Sequence, residues 1–186
     1  MTDRAAKVCE KYCDQFPDLL HLLHNDGNAS GVMTMDACLK SADAFRKNYQ
    51  IKDAIKMYLN VPERDPNSKQ AYEPDRLVDA WLEAYKVAAE AKNYILAEEL
   101  PALVNDICQK FEGIKAYAAA AELCKDYGLP PRPAEPRIDW LCKAIEYYLR
   151  DEAERHGTPQ GNMPGGQFGP ARQLAEEFNL VEVYKD

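Results

Sequence analysis

Residues 36–49 read DACLKSADAFRKNY, and residues 79–94 read DAWLEAYKVAAEAKNY. Both segments open on Asp-Ala-x-Leu, carry apolar residues at helical spacing and close on Lys-Asn-Tyr. A second apolar-striped segment follows each of them. A striped helix, a polar break and a second striped helix, repeated at a spacing of about forty residues, is typical of stacked helical hairpins. Such repeats present extended binding surfaces, so the pattern favours a protein that binds over one that catalyses.

The same helical periodicity continues on both sides of the repeat. It predicts helices over residues 3–16, 18–24, 35–45, 51–59, 74–88, 96–111, 114–127, 138–149 and 171–178. Pro101 is expected to kink its helix, Gly128 to end one, and residues 132–136 to form a stiff, extended connector. No segment alternates with a period of two between turn residues, so no strand is predicted. The predicted fold is all-α: a right-handed array of antiparallel helical hairpins, a tetratricopeptide-like superhelix, with an extended C-terminal tail.

Length and composition set the domain organisation and exclude some partners. The chain has 186 residues, 46% hydrophobic and 29% charged, which is enough for one well-buried domain with a tail. We expect a helical-repeat domain over residues 1–156 and a Gly/Pro-rich extension with a short terminal helix over residues 157–186. The net charge of -8 supplies no basic surface for phosphate backbones, so nucleic acid is not an expected partner.

Sequence features also bear on membranes and on the cellular compartment. The longest purely apolar run, residues 116–121, is far short of the about 20 residues that span a bilayer. We therefore expect a protein that is peripheral to any membrane it meets. Acidic residues interrupt the basic N-terminal stretch, so no cleavable import signal is evident. All six cysteines lie within helical patterns among apolar residues, which predicts reduced thiols packed in a core: Cys9, Cys13, Cys38, Cys108, Cys124 and Cys142.

Candidate catalytic and metal-binding residues are few. Cys9, Cys13, His21 and His24 could supply four zinc ligands, but their spacing lacks the short gap of paired thiolates. Core thiols with partly exposed histidines are the favoured interpretation. None of the three histidines, His156 included, lies beside a Ser or Cys in a nucleophile turn, and no Gly-rich phosphate loop is present. We therefore predict no catalytic residue, no metal, no cofactor and no small-molecule substrate.

Aromatic residues are the candidates for a partner interface, because Tyr and Trp are enriched at interface hot spots. Trp81 and Tyr85 have the spacing of a packed repeat core, and we assign them to the core. Tyr147 lies off the main apolar stripe of its helix, so its position fits an interface equally well. The predicted interface combines an edge of the array with the C-terminal extension, and its residues are Tyr72, Tyr147, Phe168, Phe178 and Tyr184.

A family resemblance covers residues 36–72 most closely. The matching features are DACLK at 36–40, NY at 48–49, AIKMY at 54–58, the polar loop 61–70, and Tyr72 with Pro74. In this order they resemble cytochrome c oxidase subunit Va, numbered VI in some lineages. Residues 77–82 resemble the same helix opening more loosely, and YGLP at 127–130 looks like the closing segment of the family. The region after Pro131 has no counterpart, so the resemblance implies a diverged member with a C-terminal extension.

The resemblance implies a non-catalytic accessory subunit of mitochondrial cytochrome c oxidase, complex IV. Such a subunit is peripheral on the matrix side of the inner membrane, carries neither haem nor copper, and supports assembly and stability through contacts with other subunits. Three alternatives stay open at this point: a tetratricopeptide-like adaptor that grips a peptide, a helical-repeat accessory subunit of the ATP synthase or the mitochondrial ribosome, and an enzyme that uses His21 or His24.

Overall fold

A computed structural model of the protein describes residues 33–91, 95, 98–131, 134–156 and 169–180. Within these ranges the secondary structure is helical, apart from one isolated β-bridge between Arg64 and Ala71. The all-α prediction is therefore confirmed for the described residues, whereas the helices predicted over 3–16 and 18–24 lie outside them. The helices are α1 (Met35–Lys47), α2 (Ile51–Leu59), α3 (Pro74–Glu90), α4 (Glu99–Gly113), α5 (Tyr117–Gly128), α6 (Ile138–His156) and α7 (Gly169–Glu177).

The chain divides into two compact units, Met1–Leu103 and Val104–Asp186. In the first unit α1 packs against α2 and α2 against α3. In the second, α5 packs against α6 and α6 against α7. The domain boundary predicted between residues 156 and 157 lies inside the second unit, where α7 covers part of α6. None of the helices in the described part of the chain combines the length and apolar composition needed to cross a bilayer.

The core of the first unit is built by the apolar faces of α1, α2 and α3. Met35 and Trp81 are 0% exposed and Phe45 is 2% exposed, because residues three or four positions apart share one helical face. The assignment of Trp81 to the core is confirmed. Tyr85, one turn further along α3, is half-buried, so its ring only partly enters the core.

Helix α1 has a defined start and stop. The side-chain oxygen of Thr34 accepts a hydrogen bond from the Ala37 amide at 3.3 Å, which caps the first turn. At the other end, the Gln50 amide donates to the Phe45 carbonyl at 2.9 Å and the Tyr49 amide to the Arg46 carbonyl at 3.1 Å. These two bonds form a Schellman motif, which places residue 49 in the left-handed region with a φ of 62°.

Tyr49 occupies a backbone position that normally belongs to glycine. We expect Tyr49→Gly to raise the free energy of unfolding by about 1 kcal/mol, since the left-handed conformation costs a residue with a Cβ roughly that amount. Urea denaturation followed by circular dichroism measures the change. Tyr49→Ala is the matched control: it removes the same ring, which is 75% exposed, but keeps the Cβ. Equal stabilisation in both variants would contradict a backbone origin.

The predicted polar loop between α2 and α3 is folded back on itself. The Asp65 amide donates to the Gln70 carbonyl at 2.8 Å, and the Tyr72 amide donates to the Glu63 carbonyl at 3.0 Å. At the tip, the Asp65 carboxylate accepts from the Asn67 amide at 2.8 Å and from the Ser68 hydroxyl at 3.0 Å. These bonds, the one from Asn67 above all, lower the pKa of Asp65 because they favour its charged form. Pro74 is the first residue of α3, as predicted.

Two predicted features of α4 and α5 differ in the structure. Pro101 does not kink α4, because the helix begins at Glu99 and the proline lies in the first turn, where the missing amide has no intrahelical acceptor. Helix α5 begins at Tyr117 rather than at Ile114. A second Schellman turn precedes it: the Ala116 amide donates to the Phe111 carbonyl at 2.8 Å, and Lys115 has a φ of 58°.

Helix α5 ends at Gly128, as predicted, but this glycine also has a role that the prediction missed. It is buried and does not adopt a left-handed backbone conformation. A Cβ at this position would lie 2.6 Å from Leu141 Cδ2 and 3.1 Å from Leu141 Cγ. The absence of a side chain therefore permits the close approach of α5 and α6.

The two ends of the connector between α5 and α6 meet, which corrects the prediction of a stiff, extended segment over 132–136, of which residues 132 and 133 lie outside the described residues. The Arg137 amide donates to the Gly128 carbonyl at 2.8 Å, and the Ala134 amide donates to the Pro131 carbonyl at 3.3 Å. The Arg137 guanidinium also lies over the Tyr127 ring, 4.2 Å from its centroid, and donates to the Tyr127 carbonyl. Because the two ends of the connector meet, α6 packs directly on α5.

Helix α7 closes the described part of the second unit. The helix predicted over 171–178 is confirmed with a start two residues earlier. Its buried face consists of Ala171, Leu174 and Ala175. The predicted extended segment before it, residues 157–170, lies outside the described residues except for Gly169 and Pro170, which begin the helix.

Candidate functional site

The predicted interface residues lie in both units of the chain. Tyr72 follows the folded loop of the first unit, whereas Tyr147 lies on α6 and Phe178 follows α7 in the second. All three are half-buried. Phe168 and Tyr184 lie outside the described residues. The interface itself stays a prediction. The intramolecular contacts of the three described residues determine which part of each side chain stays exposed to a partner.

Tyr72 connects the folded loop to the start of α1. Its hydroxyl oxygen accepts a hydrogen bond from the Met35 amide at 3.3 Å. Arg76 lies over its ring at 5.8 Å from the centroid and pairs with Asp36 at 2.7 Å. The Met35 amide is one of the first amides of a helix, which have no intrahelical acceptor, so Tyr72 supplies a missing partner. Any contact of Tyr72 with a partner would therefore use the remaining exposed part of its ring.

Tyr147 connects α6 to α4. Its hydroxyl donates to Glu112 Oε1 at 2.7 Å, and Arg150 Nη1 donates to the same oxygen at 3.2 Å. The Arg150 guanidinium also lies 5.6 Å from the centroid of the Tyr147 ring. This cluster gives Tyr147 an intramolecular role that its position off the apolar stripe did not reveal.

Tyrosine–carboxylate contacts between helices recur in both units. The Tyr58 hydroxyl on α2 donates to Asp43 Oδ1 on α1 at 2.5 Å. The Tyr148 hydroxyl on α6 donates to Glu122 Oε1 on α5, also at 2.5 Å. Tyr147 and Tyr148 contact different helices because adjacent helical positions point in directions about 100° apart. Each ring buries apolar area while its hydroxyl reaches the rim, so the three contacts join pairs of helices at the edge of the core.

The pKa values of these three tyrosines are raised. Burial disfavours the phenolate, and the hydrogen bond to a carboxylate is available only to the protonated hydroxyl. Each tyrosine has a pKa of about 10 in the unfolded chain and a higher one in the folded chain. Its contribution to stability is therefore fully present below about pH 10 and is lost as the pH rises toward the pKa of the folded chain. The contacts are therefore expected to weaken in alkaline solution.

We predict a steeper alkaline loss of stability in the natural chain than in a variant that carries Tyr58→Phe, Tyr147→Phe and Tyr148→Phe together. The free energy of unfolding is measured by urea titration at several pH values between about 9 and about 11. Lysine deprotonation affects both proteins, so the difference between their slopes isolates the tyrosines. Parallel slopes would show that the three hydroxyls do not ionise differently in the folded and unfolded states.

A cleft of about 270 Å³ lies among α5, α6 and α7 in the second unit. Its charged side chains are mostly acidic, and its single guanidinium, that of Arg155, pairs with Asp151 at 2.7 Å. Tyr148 holds Glu122 at the wall. The described residues that line the cleft include neither His nor Cys: Ala118, Glu122, Tyr148, Asp151, Glu152, Arg155, Pro170 and Ala171.

The suggested zinc ligands Cys9, Cys13, His21 and His24 lie outside the described residues. Among the residues that are described, no three His, Cys, Asp or Glu side chains are grouped as metal ligands. The predictions of no metal and no catalytic residue therefore stay predictions.

The four described cysteines are free thiols. Cys38, Cys108 and Cys124 are buried, as the prediction of core-packed thiols required, whereas Cys142 is half-buried. The sulfur atoms of Cys108 on α4 and Cys124 on α5 lie 3.5 Å apart. Their positions are sixteen residues apart in the sequence, with no Cys-x-x-Cys spacing to signal the pair.

Comparisons with known proteins do not assign a family. A scan of protein-family models, a search of curated proteins and a search of solved structures each find no match to the chain.

Proposed function

We propose that the chain is a non-catalytic accessory subunit of mitochondrial cytochrome c oxidase. In this role it lies on the matrix side of the inner membrane as a peripheral protein and supports assembly and stability of the complex by contacts with other subunits. It uses no cofactor and no small-molecule substrate. The proposal rests on the resemblance of residues 36–72 to subunit Va.

The residues that carry the resemblance form a continuous structural segment, which supports the proposal. They cover α1, α2, the folded loop and the first residue of α3. Asp36 pairs with Arg76, the Asn48 side-chain amide donates to the Ala44 carbonyl at 2.8 Å, and Tyr72 accepts from Met35. Every one of these residues positions a helix or a turn. A shared pattern of packing residues is what a structural subunit requires, since its function is to present a shaped surface.

The finer architecture belongs to the same proposal. Helices α1 and α2 are joined by three residues and pack together, which requires the chain to reverse direction. We propose that successive reversals of this kind build a right-handed array of antiparallel helical hairpins with an extended C-terminal tail. In this arrangement an edge of the array and the extension contact the neighbouring subunits, with Phe178 and Tyr72 among the contact residues.

The proposal is tested by the migration of the natural chain on native gels of mitochondrial membranes solubilised in mild detergent. We expect the chain to co-migrate with the oxidase and its other accessory subunits. Co-migration with the ATP synthase or the mitochondrial ribosome, or a free monomer in the cytosol, would contradict the proposal and favour one of the competing helical-repeat functions.

A pair of variants tests the proposed contact residues. We expect Phe178→Ala to lower the fraction of the chain that is incorporated into the complex, because Phe178 follows α7 and its half-buried ring keeps exposed area for a partner. Tyr49→Ala is the control, since it removes an exposed aromatic ring outside the proposed contact set. Equal incorporation of both variants at equal cellular levels would remove Phe178 from the interface.

A further inference from the structure

Two buried thiols from different helices contact each other in the second unit. Cys108 on α4 and Cys124 on α5 are 4% and 0% exposed, and their sulfur atoms are 3.5 Å apart. A disulfide bond has a length of about 2.05 Å, so the two sulfurs must approach each other by about 1.5 Å for the bond to form. The proposed function of the chain does not use this pair.

The two thiols are not equivalent. The pKa of Cys108 is lowered, first by its hydrogen bond with Cys124 and then by the nearby positive charge of Lys143, while burial opposes the shift. The same hydrogen bond, together with burial, raises the pKa of Cys124. Lys143 is held in place by Asn105 Oδ1 at 3.0 Å and by the Trp140 ring, 4.3 Å from its centroid. Cys108 is also the more exposed residue of the pair, at 4% against 0%, and we therefore assign it as the nucleophile.

Neither of the other two described cysteines contacts another sulfur among the residues that the structure describes. Cys38 is 3% exposed, and burial raises its pKa to about 11. Cys142 is half-buried, and burial together with the charges of Asp139 and Glu146 raises its pKa. The two residues serve as internal controls for the oxidation rate of the pair. Cys38 is a buried thiol without a neighbouring sulfur contact in the described part of the chain, and Cys142 is a more accessible thiol.

We propose that Cys108 and Cys124 form a modification site, a dithiol that hydrogen peroxide converts into a disulfide between α4 and α5. In the first step the Cys108 thiolate attacks one peroxide oxygen, the O–O bond breaks, and the leaving hydroxide takes up a proton to become water. Cys108 is then a sulfenic acid. In the second step the Cys124 sulfur attacks the Cys108 sulfur, the S–O bond breaks, and the thiol proton leaves with the hydroxyl group as a second water. The peroxide is reduced and the two thiols are oxidised.

The disulfide would restrain the unfolded chain by closing the loop from Cys108 to Cys124. We expect the melting temperature of the oxidised chain to exceed that of the reduced chain by about 5 to 10 °C, which is the shift that closing a loop of this size brings in a chain of this length. The site would thereby couple the stability of the second unit to the peroxide level of its compartment.

The test uses the full-length chain treated with graded hydrogen peroxide, quenched with an alkylating reagent and digested without reduction. Mass spectrometry then quantifies the peptide that links Cys108 to Cys124 and the alkylated peptides of Cys38 and Cys142. We expect the linked peptide to form at least tenfold faster than either control cysteine is oxidised, an increment of about 1.4 kcal/mol in activation free energy. If oxidation follows exposure, so that Cys142 reacts first and the pair stays alkylatable, the proposal is overturned.

Single substitutions separate the two chemical steps. With Cys124→Ala, the sulfenic acid at Cys108 has no resolving thiol, so a dimedone probe is expected to label Cys108. With Cys108→Ala, we expect no label at Cys124. Lys143→Met should slow the oxidation of Cys108 and Lys143→Arg should restore it, because only the latter keeps the charge. Labelling of Cys124 in place of Cys108, or equal rates for the two Lys143 variants, would overturn the assigned roles.

Discussion

Trp81→Ala is expected to lower the free energy of unfolding by about 3 to 5 kcal/mol, the largest loss that we predict for a single substitution in the first unit. Trp81 is 0% exposed and is the largest fully buried side chain in the described part of the chain. Its removal withdraws the apolar area of an indole from the core shared by α1, α2 and α3 and leaves a cavity that fixed helices cannot fill.

Two spectroscopic signals separate the effects of this substitution on the two units. The chain contains two tryptophans, so in the variant Trp140 on α6 is the only fluorescent indole, and its fluorescence reports on the second unit alone. Circular dichroism reports on the helices of both units. Tyr49→Ala is the matched control, because it removes an aromatic ring that is 75% exposed and should change stability by less than about 0.5 kcal/mol. A similar effect of the two substitutions would contradict the described core.

Leu141→Ala is expected to cost about 2 to 5 kcal/mol in the second unit, since Leu141 is 0% exposed and packs on Gly128. Gly128→Ala alone is expected to cost about 1 to 2 kcal/mol: overpacking against Leu141 opposes the smaller gain in helix propensity. In the double variant the added methyl group enters space that Leu141 has left. The combined loss should therefore be smaller than the sum by about 1 kcal/mol.

Urea denaturation of the four proteins of this cycle measures the coupling. Gly113→Ala is the control for the glycine substitution, because a Cβ at Gly113 would meet no atom within 4 Å. It should be neutral or stabilising by up to about 1 kcal/mol. Strict additivity of Gly128→Ala and Leu141→Ala would show that the two residues do not share a contact.

Apolar periodicity was sufficient to predict the helices and much of the core. Met35 and Phe45 on α1 and Trp81 on α3 belong to the apolar stripes of their helices, and all three are buried in the structure. The positions of Pro74 and of α7 followed from equally local signals. Local signals failed where one residue type serves two purposes. Helix α5 does end at Gly128, as predicted, but no local signal indicated that the missing side chain also permits close packing on Leu141.

The turns after α1 and α4 show a different limit of sequence reasoning. Both are Schellman motifs, yet Tyr49 and Lys115 stand where glycine would be the recognisable signal. The non-glycine residues tolerate the left-handed backbone because the hydrogen bonds of the motif and the packing of the following helix determine it. The break between α1 and α2 could therefore be predicted, but its conformation could not.

The candidate site was the least predictable part, because its contacts join residues that are distant in sequence. Tyr147 meets Glu112 thirty-five positions away, and Tyr148 meets Glu122 twenty-six positions away. The Cys108–Cys124 pair likewise depends on how α4 meets α5. No periodic pattern encodes such pairings, so the sequence could offer Tyr147 only as one aromatic residue among several candidates.

The proposed role as an accessory subunit is tested most directly by measuring the molar ratio of this chain to a catalytic subunit in purified cytochrome c oxidase. Quantitative mass spectrometry with isotope-labelled reference peptides provides the ratio. We predict equimolar amounts that persist through purification steps retaining the other accessory subunits. A chain that is absent, or present only in traces, in a preparation that keeps those subunits would contradict it.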